Sequence, residues 1–375
     1  MAQTRMHELA KIGQSVWLDY INRSMIESGK LKKLIDDGLR GMTSNPSIFN
    51  QVISTSKDYD EKIVQLKEAG KSTFEIYDEL TIKDIRDACD LFKPVYGETN
   101  KLDGYVSLEI NPELANNTDA SVTEGKRLFK KVNRPNVMIK VPATQAGFPV
   151  IEELLANGIN VNVTLIFSLA QYLDTTSAFL NGLEQLSRKA KDLSNIRSVA
   201  SVFVSRIDTM ADKMIDDKIK ADPGAQKQLA GLKGKAAVAN CQLVYEKSKD
   251  IFASARFQKL AQQNAAIQRV LWGSTSTKNP DYRDVKYVEE LIAKDTVNTI
   301  PEATLMAFLD HGQVKEALKG NKKDAVNILS QLQKFDINID IICQKLLEDG
   351  VVAFEKAFAD LMQAIETKAK QLCAR

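Results

Sequence analysis

Histidine is almost missing from this 375-residue chain, which has only His7 and His311. That scarcity argues against a histidine general base, a histidine-ligated metal or a Ser-His-Asp triad. Cysteine is scarce as well. Cys89, Cys241, Cys343 and Cys373 lie far apart, form no CxxC and have no neighbouring histidines, so neither a zinc site nor a disulfide framework is expected and they read as reduced bystanders. No stretch approaches the roughly 18 apolar residues that a bilayer span requires. The opening MAQTRMHELAKIGQSVW lacks the apolar run of a secretory signal, so the expected location is the cytoplasm. Charge of one sign is also lacking: 51 Lys+Arg against 49 Asp+Glu leave a net +2, which offers no electrostatic footprint for nucleic acid or an anionic membrane. Low-complexity linkers and internal repeats are absent. What remains for chemistry is Lys, Asp, Glu, Ser, Thr and Asn.

The composition, 44% apolar and 27% charged, is that of an ordinary globular protein, long enough for two or three domains or for one enlarged barrel. Eight short β-rich runs decide between these: SVWLD (15–19), LRGMT (39–43), GYVSLEI (104–110), NVMIKV (136–141), INVNVTLIF (159–167), VASVFVS (199–205), RVLWGST (269–275) and DTVNTI (295–300). Helical periodicity separates them, over 58–70, 73–92, 120–132, 147–157, 168–191 and 225–263. Alternating strands and helices predict a parallel sheet, and eight repeats predict closure into a single (β/α)8 TIM barrel over about 14–300. An open doubly wound sheet is the alternative, because periodicity does not distinguish it from a closed one. Wider spacing after the second and sixth runs predicts helical insertions. Beyond Ile300 the chain reads as helix to its end, with Pro301 and Glu302 opening one helix and 338–370 forming a long amphipathic segment interrupted at Gly350, a cover for the barrel.

Side chains alternate along a strand, so every second residue of each run faces the barrel interior. Assigning the valines, leucines and isoleucines to the helix-facing side turns Ser15, Trp17 and Asp19 inward, and likewise Ser107 and Glu109, Lys140, Asn160, Asn162 and Thr164, and Ser201, Phe203 and Ser205. Val161, Val163 and Leu165 then face outward. Polar groups on a face that a purely structural barrel fills with aliphatics are costly unless paired. Asp19, Thr43, Glu109, Lys140, Thr164 and Ser205 fall at the C-terminal strand ends, where barrel enzymes build their sites.

Lys140 is the sharpest feature. Burial in general disfavours the charged form of an amine, and a neutral amine attacks carbonyls, so an interior lysine suggests Schiff-base chemistry. The structural alternative is a lysine in a buried ion pair with Glu109 or Asp19, or one guarding a sheet edge. Those two carboxylates suit the proton transfers of carbinolamine dehydration and C–C cleavage, or else simply compensate the lysine charge. Arg206 directly follows the sixth run. WGSTSTKN (272–279), with Thr275 and Lys278, is a hydroxyl-rich turn after the seventh, where barrels often bind phosphate; a solvated loop is the plainer reading. GLKGKAA (231–237) lacks the spacing of a phosphate-binding P-loop, and the sequon Asn162-Val163-Thr164 lies on a core strand.

Taken in order, WLDY (17–20), GMTSNPSIF (41–49), VSLEI (106–110), MIKVPAT (138–144), NVTLIFS (162–168), SVFVSRID (201–208) and WGSTSTKNP (272–280) resemble the transaldolase family, and the length and C-terminal helices resemble its longer, bacterial-type branch. The resemblance implies a class I aldolase barrel that moves a dihydroxyacetone unit between sugar phosphates of the non-oxidative pentose phosphate pathway without cofactor or metal. It implies that Lys140 forms the Schiff base, Asp19 shuttles the proton of C–C cleavage, and Glu109 and Thr164 position the water of imine formation and hydrolysis. Asn45, Asn162 and Ser201 would bond the hydroxyls of the three-carbon unit, and Arg206 a phosphate. Two positions depart from or specify the pattern. Thr277-Lys278 stands where the better-studied branch has an arginine, a point charge in place of a fork. Phe203 stands where relatives that release free dihydroxyacetone carry tyrosine, which favours transfer over the rival fructose 6-phosphate aldolase activity. A catalytically silent sugar-phosphate-binding barrel would lack one of Asp19, Glu109 and Lys140. The expected partners are phosphorylated sugars, with the chain a monomer or a homodimer.

Overall fold

The computed structural model of the chain describes residues 3–320 and 322–374. Eight strands, β1 (Gln14–Asp19), β2 (Gly41–Thr43), β3 (Tyr105–Glu109), β4 (Val137–Pro142), β5 (Val161–Ile166), β6 (Ser198–Phe203), β7 (Arg269–Gly273) and β8 (Thr296–Ile300), form a closed barrel in sequence order. Every neighbouring pair is parallel, and β8 returns to β1 through Trp17↔Thr299 and Leu18↔Ile300. Closure removes the open-sheet alternative and leaves no edge strand, so Lys140 guards no edge.

The inward and outward faces follow the alternation. Val106, Leu108, Val137, Ile139, Val141, Val161 and Val163 join the large apolar core between strands and helices. Trp17, Tyr105, Met138, Val199, Leu271 and Val297 form a separate cluster that fills the barrel interior. Trp17 occupies so much of that space that a Cβ on Gly41 would stand 2.6 Å from its indole ring, which is why β2 begins with glycine. At the N-terminal end the interior closes on a buried ion pair: Arg269 Nη2 lies 2.7 Å from Asp103 Oδ1, and Ser15 donates to Asp103 Oδ2 at 2.7 Å. An apolar plug and a satisfied ion pair leave only the C-terminal end of the barrel open for chemistry.

One strand breaks the alternation. β5 carries an extra residue relative to β6, since Val163 pairs with Ala200 but Ile166 with Val202. Leu165 takes up the slack with φ +59°, a left-handed conformation that non-glycine residues rarely adopt. Its side chain therefore leaves the outward row of Val161 and Val163 and packs against Gly350.

Insertions occupy the two wide gaps, as the spacing predicts: Pro46–Thr55, Asp60–Glu68 and Thr73–Glu98 precede β3, and Ser205–Ala221, Ala236–Ala253 and Ala255–Ala261 precede β7. The helix expected over 225–263 is thus several shorter pieces; Gly231, Lys233 and Gly234 break it before Ala236, and Ser254 starts a new one by accepting from Phe257 N–H. After Ile300 the chain is not continuously helical, because 312–319 is irregular between Glu302–His311 and Lys322–Gln333.

The last helix, Ile339–Cys373, starts where Asn338 accepts from Asp340 and Ile341 N–H, and it runs without a break through Gly350. Its buried residues Ile342, Leu346, Gly350, Phe358, Leu361, Ile365 and Ala369, with the partly buried Phe354 between Gly350 and Phe358, recur every three or four positions and make one apolar stripe. Gly350 is not a break but a contact: a Cβ there would lie 3.1 Å from the Leu165 side chain, so the helix sits directly on the end of β5. Near its end, Lys368 reaches Ile53 O at 2.9 Å and Asp60 at 2.6 Å, fastening the helix to the first insertion.

Candidate active site

Asp19 and Thr43 are register partners at the ends of β1 and β2, and Glu109 and Lys140 are register partners at the ends of β3 and β4. Partners on parallel strands project to the same side, so closure brings two carboxylates and one amine into the same neck. Lys140 is buried, 5% exposed, and its Nζ donates to Ser44 O at 3.0 Å and to Glu109 Oε2 at 3.3 Å. The Phe354 ring of the last helix stands 5.8 Å from that nitrogen. Thr43 Oγ1 donates to Asp19 Oδ1 at 2.7 Å and lies 2.7 Å from Thr299 Oγ1.

Asp19, Thr43, Lys140, Thr299 and Phe354 border a cavity of about 210 Å³ at the C-terminal end, lined also by Asn45, Ser47, Thr164, Ser201, Phe203, Arg206, Ser274, Ser276 and Lys278 among others; Glu109 is not part of that lining and meets the cavity only through its hydrogen bond with Lys140. Asn45 Oδ1 caps the helix Pro46–Thr55 by accepting from Ile48 N–H at 3.0 Å, which pins the side chain at the rim. Thr164 Oγ1 is buried and has no hydrogen-bond partner among the described residues. A bare buried hydroxyl is costly unless something polar enters beside it. Asn162 lies beneath the cavity floor: Ser201 Oγ donates to its Oδ1 at 2.6 Å, and its Nδ2 donates to Ser107 Oγ at 3.0 Å. Thr275 does not line the cavity. It is fully buried under its loop, its hydroxyl spent on Asn298 Oδ1 at 2.9 Å, because the turn after β7 sends Ser274 and Ser276 upward instead.

Burial raises both carboxyls above their ordinary range. For Asp19 desolvation dominates, opposed by the Lys140 charge and the Thr43 hydrogen bond. For Glu109 desolvation again dominates, opposed by Lys140 and reinforced by the Asp19 charge. Arg206 opens the helix Ser205–Ala221, with its guanidinium 5.7 Å from the Phe203 ring centroid, and it forms no ion pair among the described residues. Desolvation alone pulls its pKa down.

Residues 16–365 match the family model for transaldolase/fructose-6-phosphate aldolase. A transaldolase 2 of Nostoc sp. is 44% identical over 99% of both chains, a transaldolase of Trichodesmium erythraeum is 44% identical over the same shares, and a transaldolase of Saccharopolyspora erythraea is 43% identical over 98% of both. The chain belongs to the transaldolase/fructose-6-phosphate aldolase family.

Several parts of this transaldolase-family cavity escape a reading of strand ends. Ser44 acts through its carbonyl, which no residue type advertises. Ser274, Ser276 and Thr299 enter from the ends of β7 and β8, runs whose polar residues look like ordinary loop starts. Phe354 arrives from a helix far along the chain, and its only signal is its place on the apolar stripe of that helix. The arrangement can do three things: an amine held between a carbonyl and a carboxyl can add to a ketone, carboxyls raised by burial can hold and hand over protons, and a cation with no ion pair among the described residues can hold an anion at the rim.

Proposed function

We propose that this chain is a transaldolase that transfers a dihydroxyacetone unit between ketose and aldose phosphates through a Schiff base on Lys140. The observation that carries the reading is the lysine on β4, hydrogen-bonded to Glu109 and facing a cavity shared with Asp19 and with Arg206, which has no ion pair among the described residues. In this reading the Lys140 amine adds to the C2 carbonyl of the ketose. The carbinolamine then loses water, with Glu109 supplying and recovering the proton and Thr164 orienting the water. Asp19 takes the proton of the C4 hydroxyl as the C3–C4 bond breaks, the electron pair passes into the enamine, and the aldose leaves. A second aldose adds by the reverse path, and hydrolysis frees the lysine.

Arg206 and the exposed Lys278 hold the phosphate. An unpaired cation in the first turn of a helix is unfavourable with respect to the helix dipole, and a bound dianion reverses that sign. Phe203 packs against Phe167 with ring centroids 5.3 Å apart, so this part of the wall offers no hydroxyl to activate water, which favours transfer to an aldose over release of free dihydroxyacetone. Among the described residues no helix is long and apolar enough to cross a membrane, and a cytoplasmic location suits the four unpaired thiols. Borohydride in the presence of fructose 6-phosphate is expected to trap an adduct on the wild-type chain and none after Lys140→Ala. Labelling that persists in the variant overturns the reading. Free dihydroxyacetone formed without acceptor, at a rate matching transfer, would instead make the protein an aldolase.

A further inference from the structure

The strained end of β5 is bridged to the end of β4 by the side chain of Gln171. Gln171 lies in the first turn of the helix Leu169–Ser187, where its Oε1 accepts from Phe167 N–H at 3.0 Å and Ser168 N–H at 3.2 Å. Its Nε2 donates to Leu165 O at 3.2 Å and to Ala143 O at 3.1 Å. A carboxamide has two donors and two acceptor sites, and here all four are used. The bond from the N-cap Ser168 N–H is ordinary for a capping box, and Phe167 N–H adds a second to the same oxygen. The two donated bonds are not ordinary: they join the left-handed Leu165 to the residue that follows β4, outside the helix altogether. Ala143 N–H in turn donates to Thr164 O at 2.8 Å. The amide of Gln171 therefore closes a ring through the ends of the strand that carries Lys140 and the strand that carries Thr164.

Thr164 directly precedes the kinked residue, and its hydroxyl, without a hydrogen-bond partner among the described residues, borders the cavity with Lys140. A left-handed leucine in a strand persists only where its surroundings over-determine it, and Gln171 on one side and Gly350 on the other supply that constraint. We infer that Gln171 is a positioning residue for imine formation and hydrolysis: it sets the place of the Thr164 hydroxyl relative to Lys140 without touching substrate. This rests on the Schiff-base reading above.

Gln171→Glu separates positioning from capping. A glutamate keeps the acceptor oxygen for the helix start and suits the helix dipole, but it removes both donors and sets a carboxylate against two carbonyls. A capping role alone predicts unchanged kinetics. Positioning predicts that single-turnover imine formation, read by borohydride trapping with fructose 6-phosphate, slows by about 10- to 100-fold, the scale on which a ~1 Å misplacement acts. Ser168→Ala, which weakens the cap and leaves the Nε2 bonds alone, is expected to lower thermal stability with the trapping rate unchanged. Combined with Thr164→Ala, Gln171→Glu should add less than its single effect, because both act on one hydroxyl. An unchanged trapping rate in Gln171→Glu, or full additivity with Thr164→Ala, overturns the inference. No trapping in the wild type would instead overturn the Schiff-base reading beneath it.

Discussion

Replacing Arg206 with methionine removes a guanidinium while keeping an apolar stem against Phe203. In the free protein the charge stands in the first turn of Ser205–Ala221 with no ion-pair partner among the described residues, so burial and the helix dipole both oppose it. A like charge at a helix start costs about 0.3–1 kcal/mol, which in a chain of this size moves Tm by about a degree. Arg206→Met is therefore expected to be slightly more stable than the wild type. With substrate the balance reverses. Hydrogen bonds from a cation to phosphate contribute about 1.5–3 kcal/mol, so kcat/KM for fructose 6-phosphate is expected to fall about 10- to 150-fold. Unphosphorylated fructose, which never uses the contact, should react equally well with both proteins. Inorganic phosphate should raise the Tm of the wild type more than that of the variant. Thermal scans with and without phosphate, beside kinetics on the two ketoses, measure all of this. A variant that melts several degrees lower, or that loses as much on fructose as on its phosphate, would show that Arg206 holds the fold and not the ligand.

Asp19→Asn keeps the hydrogen bond from Thr43 but cannot take a proton; borohydride trapping should survive while C–C cleavage falls about 10²- to 10⁴-fold. Equal loss of both steps would make Asp19 structural. Asp19 and Glu109 both titrate above their unfolded values of 3.8 and 4.5, so the folded protein holds the extra protons. Their contribution to stability is full below those values and is lost as pH rises through the raised folded values. Asp19→Asn and Glu109→Gln should each flatten that part of the stability profile, and urea unfolding across pH 4 to 8 checks the sign. Trp17→Ala empties the barrel plug, where the indole is fully buried, and should cost about 3–5 kcal/mol in urea unfolding while leaving Lys140 trapping in place.

The inward and outward faces of the strands were legible because alternation is local: once Val137, Ile139 and Val141 take the apolar side, Lys140 has nowhere to point but inward. The same rule carried Asp19, Glu109, Asn162 and Ser201 to the interior, and eight such runs in order carried the barrel. The rule failed at Leu165, where one inserted residue shifts the register against β6 and sends the side chain to the last helix. The turn after β7, read as a whole for phosphate binding, does not turn all its hydroxyls to the cavity: Thr275 is buried on Asn298, because side chains in a turn follow backbone geometry.

Other parts depend on contacts between residues far apart in the chain. Pattern and motif determined by themselves which strand ends carry the lysine, the carboxylates and the arginine, because those signals sit within a few residues of one another. Tertiary structure alone decided that Ser44 would lend its carbonyl, that Gly350 would let Ile339–Cys373 lie on β5, and that Phe354 would reach the ring of polar groups around Lys140. The packing of a helix against a strand nearly two hundred residues earlier leaves no local periodicity behind; it exists only once the barrel has closed and offered the helix a surface to cover.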